Sequence, residues 1–142
     1  EQLQDHADLL AELSTAMTAF YLATAEIGKA NQVTTFTASD FGRTFTTNGD
    51  GSDHGWGGHH FVMGGAVRGG DLYGAFPTYG SSDGRGGFTS PDQIAAGALL
   101  PTTAFDQYAA TMGRWFGVSD SDLATILPNL RNFSSHDLGF MA

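Results

Sequence analysis

The stretch Val33-Thr34-Thr35-Phe36-Thr37-Ala38, followed at once by Ser39-Asp40-Phe41-Gly42-Arg43-Thr44, decides how this chain is read. Residues 33–38 are β-branched, aromatic or small, carry no charge, and do not alternate strictly between apolar and polar. Such a run suits a strand covered on both faces in a parallel sheet, and Ser39-Asp40 marks its end. Upstream, Leu3, Ala7, Leu10, Leu13, Met17, Phe20 and Ile27 recur mostly every three or four positions, which predicts one long helix over residues 2–27. Gly28 and Lys29 suit its end, since glycine tolerates the left-handed conformation and a cation meets the negative end of the helix dipole.

Downstream the order continues as an α/β pattern with few strands. Residues 41–58 are polar and glycine-rich, with Asn48-Gly49-Asp50-Gly51 as a strong turn signal. The apolar run from His60 to Val67 predicts a second strand, and Gly69-Gly70 turning into Leu72-Tyr73 predicts a short hairpin. Residues 77–101 hold three of the four prolines and read as a long surface loop. Thr103 with Asp106 resembles a capping box opening a helix that reaches Gly117, and Ser119 or Asp120 opens a shorter one through Leu127, stopped by Pro128. The tail from Arg131 has no period. Phe20, Tyr21, Phe105, Tyr108, Trp115 and Phe116 read as core, while Trp56 either packs the glycine-rich loop down or walls a site.

Length bounds the answer to one domain, 142 residues, and composition excludes whole classes of function. Six Lys and Arg against 15 Asp and Glu give a net charge of −9, with no clustered cations for nucleic acid or an anionic membrane surface. Apolar runs fall far short of the roughly 20 residues that span a bilayer. Without cysteine there is no disulfide, zinc finger or thiolate nucleophile. A nucleotide P-loop and a Gly-x-Ser-x-Gly elbow are both missing.

The chemistry therefore concentrates in Asp40, Asp50, Asp53, His54, His59 and His60. Carboxylates with imidazoles suit Zn, Mn, Fe or Mg more than a thiolate-seeking metal, and Asp40 follows the carboxyl end of a predicted strand, where α/β sheets bind ligands. The bland alternative is that these histidines face solvent or satisfy backbone groups. Arg43 either clamps a phosphate or sulfate with its planar fork or pairs with Asp40 or Asp53. A calcium site in Asn48–Asp53 is the weaker option, since the closing glutamate of an EF-hand is missing.

Three strings go further: Thr35–Thr44, Asn48-Gly49-Asp50-Gly51-Ser52-Asp53-His54-Gly55, and Phe61–Gly70 with Leu72-Tyr73-Gly74. Together with Asp106–Ala110 and Trp115–Val118, they resemble the carboxyl-terminal part of an exported bacterial family, the domain of unknown function numbered 1501, itself similar to the alkaline phosphatase and sulfatase superfamily. The resemblance implies that residues 1–142 are a single partial domain, the carboxyl-terminal portion of an alkaline phosphatase-like three-layer αβα sandwich. It also implies export to the periplasm or beyond.

In that superfamily a strand ending in Ser-Asp-His-Gly and a later His supply metal ligands, so two registers compete here. Asp40 with His54 is preferred because Asp40 has a strand before it; the literal Ser52-Asp53-His54-Gly55 is the other. Phe41 stands where the superfamily usually has a ligating His, which implies a mononuclear or sulfatase-like site, or a fold without catalysis. The leading expectation is a metal-dependent hydrolase of phosphate or sulfate esters. Asp40, Asp53 and His54 stand as metal residues, Arg43 holds the anion, and His59 or His60 orients a ligand or gives a proton. Its divalent ion is Zn, Mn, Ca or Mg. The nucleophile is expected on an amino-terminal remainder or another chain. The alternative is a non-catalytic exported binding or assembly protein, with the loop 77–101 serving a partner.

Overall fold

A computed structural model describes residues 2–142 and gives a mixed α/β chain with three helices and three small antiparallel sheets. The first helix, α1, spans Gln2–Glu26, as its periodicity predicts, and Gly28 ends it at φ +69°. Four strands follow: β1 (Thr34–Phe36), β2 (Gly42–Thr47), β3 (Ser52–Gly55) and β4 (Val62–Gly64). A tight pair, β5 (Gln93–Ile94) and β6 (Ala98–Leu99), precedes α2 (Phe105–Phe116) and α3 (Asp120–Ile126).

The parallel sheet expected around residues 33–38 gives way to an antiparallel pair. β1 is three residues long, pairs with β4 in the register Thr34 to Gly64 and Phe36 to Val62, and leaves Phe36 half exposed. The connection between them, residues 37–61, holds the β2–β3 hairpin and no crossover helix, so the chain returns beside β1 in the antiparallel sense. β4 pairs with β1, not with residues 72–73, which overturns the predicted hairpin at Gly69-Gly70. The glycine-rich segment 41–58 is no loop: β2 and β3 form a hairpin across the Asn48–Gly51 turn, in which Asn48 N–H donates to the Gly51 carbonyl at 3.1 Å. Thr44, Thr46 and Thr47, with Phe45 among them, supply the β preference that the glycines disguise. The loop 77–101 carries β5 and β6 and an Asp83–Gly87 turn, whose carboxylate is held below its usual range by backbone N–H groups of Arg85 and Gly87.

α2 begins one residue later than a Thr103 cap requires. Ala104 is the N-cap, its N–H donates to Gln107 Oε1 at 3.1 Å, and Asp106, expected as the capping acid, leaves Oδ2 buried without a hydrogen-bond partner. α3 keeps the expected cap, with Ser119 Oγ accepting from Asp122 N–H at 3.2 Å. The core sits where these helices meet: Ala110, Leu123 and Leu130 are buried together, with Val118 and Leu127 packed on them.

The tail, unreadable by period, closes the structure by pairing. Arg68 N–H donates to the Phe140 carbonyl at 2.9 Å and Ala142 N–H to the Ala66 carbonyl at 2.8 Å, while Thr111 Oγ1 accepts from Leu138 N–H at 2.9 Å. Phe20, Phe105 and Phe116, read as core, lie on the surface, Phe116 at 82% exposure. α1 likewise leaves Leu3, Leu9 and Leu22 uncovered. The exposed area is 9394 Å², against about 7,000 Å² for a compact monomer of this mass. Helical spacing identifies an apolar face but not what covers it. Among the described residues no helix is long and apolar enough to cross a membrane.

Gly42 and Gly57 let the hairpin dock. A Cβ on Gly42 would overlap the Gly57 carbonyl, and one on Gly57 would lie 2.9 Å from the Leu99 carbonyl that its own N–H binds. Gly42→Ala should therefore lower stability by about 1–3 kcal/mol in urea unfolding, whereas Gly58→Ala, whose methyl would meet Gly42 Cα at an ordinary 3.9 Å, should stay within about 0.5 kcal/mol.

Candidate functional site

Strand pairing carries Arg43 and His54 to one place. They are direct partners across β2 and β3, and both stack on Phe41: the His54 ring lies parallel to it at 3.7 Å between centroids, and Arg43 Cζ sits 5.0 Å from its centroid. Arg43 Nη1 donates to the Ser52 carbonyl at 2.8 Å, which fixes the guanidinium on the hairpin and leaves further donors of its fork for an anion. Asp40 precedes β2 by two residues, on an exposed bend at the foot of the same hairpin. Asp40, Arg43 and His54 thus gather at one end of the hairpin.

Asp53 does not join them. Adjacent strand residues point to opposite faces, so Asp53 and His54 cannot address the same point from β3. Asp53 Oδ1 instead accepts from Asn48 Nδ2 at 2.8 Å and braces the turn, with Asp53 N–H donating to Thr44 Oγ1 at 3.1 Å. Among the described residues no group of three or more His, Asp or Glu is arranged to hold a metal ion. The donor set on these residues therefore falls short of a complete divalent site.

His59 and His60 lie elsewhere, on the wall of a cavity of about 520 Å³ next to the hairpin's foot, with Ser39, Trp56 and Gly57 on its near side. His59 stacks on Phe76 at 4.8 Å, and its Nε2 is 3.4 Å from the Tyr79 hydroxyl. His60 stacks over Tyr108 at 5.7 Å, with Nδ1 3.4 Å from Thr37 Oγ1. Burial, and then the charge of His59, push the His60 imidazole below its ordinary 6.5, so that it stands neutral at pH 7. Tyr108 donates to the Thr37 carbonyl at 3.1 Å, and burial raises its phenol to about 12, so it stays a donor.

The far wall was invisible in the sequence. Arg68, Asp71 and Tyr73 reach the cavity from the segment after β4, Tyr108 from α2 and Phe140 from the tail. Tyr73 donates to the Arg68 carbonyl at 2.7 Å and meets Phe140 edge-on at 5.7 Å. Tyr108, read as core, is half-buried and floors the cavity; Trp56, 72% exposed, stands at its rim and so walls a site instead of packing the loop down. The only sequence signal for this wall is the aromatic density of residues 72–79, set among glycines.

The model of a family described as protein of unknown function, DUF1501, matches residues 1–128. No curated protein and no solved structure matches the chain.

The lowered His60 sets a testable sign. The folded chain binds fewer protons there than the unfolded one, so this group contributes stability that is lost as pH falls below 6.5. In an imidazole NMR titration His60 should have its midpoint below 6.5, rising in His59→Gln but staying below 6.5, because burial is the larger cause. A midpoint at or above 6.5 in the native chain contradicts this.

Proposed function

The chain belongs to the DUF1501 family, and from that premise we propose that it forms part of a hydrolase of phosphate or sulfate esters. The observation that carries the reading is the adjacency of two unlike chemistries. An exposed guanidinium with an imidazole lies at the foot of the β2–β3 hairpin, and a cavity walled by His59 and His60 opens beside it. The first suits the anionic half of an ester and the second its organic half. Arg43 holds the anion by its fork. His59 is placed to give or take a proton, and His60, neutral at pH 7, accepts a hydrogen bond from the substrate.

In this reading residues 1–142 are the carboxyl-terminal portion of an alkaline phosphatase-like three-layer αβα sandwich of an exported protein. The nucleophile lies outside them, on the amino-terminal remainder or another chain. The bare apolar side chains of α1 support this, because a helix apolar on more than one side is ordinarily covered by further polypeptide. A divalent ion, Zn, Mn, Ca or Mg, belongs to the proposal only with Asp40 and His54 joined by ligands from outside the described residues; it would polarise the ester and activate that nucleophile. Asp53 is withdrawn from that ligand set by its place on the opposite face.

NMR titration of residues 1–142 with 4-nitrophenyl phosphate and 4-nitrophenyl sulfate tests the reading. Saturable binding should weaken about tenfold in Arg43→Ala, the loss of one charge-assisted contact of about 1.4 kcal/mol, and no 4-nitrophenol should be released. Turnover by these residues alone, or binding indifferent to Arg43, overturns it.

A further inference from the structure

The cavity beside β4 has properties that an anion cleft does not need. Trp56, Phe61 and Phe76 line it, each more than half exposed to water although His59 covers one face of Phe76. Large aromatic faces held in water around one opening mark a ligand site more than a packing surface, and 520 Å³ lies within the roughly 300–1,000 Å³ of small-molecule pockets. Polar groups stand between the rings. His59 and His60 each commit one ring nitrogen, to Tyr79 and Thr37, which leaves the other for a ligand. Arg68 and Asp71 line the same cavity.

These features narrow the chemistry of the occupant. A wholly apolar ligand would strip water from those polar groups at about 1–3 kcal/mol for each one left unpaired. An anion meets one Arg68 offset by one Asp71 in a chain of net charge −9, and a cation finds the same balance. What fits is an uncharged ring with an apolar face of C–H bonds and an edge of hydroxyls. The face stacks on Trp56 or Phe76, and the hydroxyls reach the histidines, Arg68 and Asp71.

We infer that this cavity binds a neutral pyranose, so that the alcohol half of the ester is a carbohydrate. The second clause rests on the hydrolase reading and the first does not. Trp56 reports binding directly once Trp115→Phe removes the second indole, which lines a separate groove with Val33 and Phe36. The probes are cellobiose and maltose, neutral sugars without phosphate or sulfate, titrated against residues 1–142 by Trp56 fluorescence and, in parallel, by calorimetry on the native chain.

A saturable response to at least one disaccharide is expected, weakened about tenfold by Phe76→Ala and about threefold or more by Asp71→Asn. Both side chains are exposed, and far-UV circular dichroism checks that the variants keep their fold. No saturable response to either sugar, or sugar binding unchanged by both substitutions, overturns the assignment. Because neutral sugars bypass Arg43, failure here is distinct from failure of the ester titration.

Discussion

Two backbones touch where neither residue has a side chain, and the site depends on that contact. Gly42 opens β2 and Gly57 follows β3, and their close approach lets the Gly57 N–H reach the Leu99 carbonyl at 2.9 Å. The hairpin is thereby docked against β6. Any Cβ at Gly42 would push the hairpin away from residues 57–60, and with it Arg43 and His54 away from the cavity of His59 and His60. The glycine content that makes this segment look unstructured is what permits its packing.

Stability elsewhere comes from a small core and many directed contacts. Among the described residues Ala110, Leu123 and Leu130 form the buried cluster, whereas α2 is tied on other sides by polar groups: Gln107 Nε2 donates to the Ser135 carbonyl at 2.7 Å, Thr111 accepts from Leu138, and Arg114 donates to the His136 carbonyl. The tail therefore seals one end of the cavity through Phe140, and α2 floors it through Tyr108. Exposed Leu3, Leu22 and Phe116 belong to surfaces these contacts leave uncovered. The fold and the site share their supports, so the cavity wall made by the tail is as secure as the helix it straps.

How far the sequence discloses all this depends on whether a feature is local. α1 and α3 are legible because helical period and caps are short-range, at Gly28, Ser119 and Pro128. β1 is legible as a strand but not in its pairing, since its partner Val62–Gly64 lies about 28 residues away and nothing in residues 33–38 names it. β2 and β3 escape notice because glycine and threonine share one segment, although their turn is plain. The histidines read as a cluster in sequence, yet strand alternation separates Asp53 from His54, and only His59 and His60 of the group line the cavity. Arg68, Asp71 and Tyr108 enter the site by tertiary contact alone.

The account turns on the anion end and the cavity being one site. Backbone and imidazole chemical shifts of residues 1–142, followed during titration with glucose 6-sulfate, test this directly. One ligand spanning both should move Arg43 and His54 together with Trp56, His59 and His60, all saturating with a single dissociation constant. Two different constants, or shifts confined to one group of residues, would show two unrelated features and contradict the account.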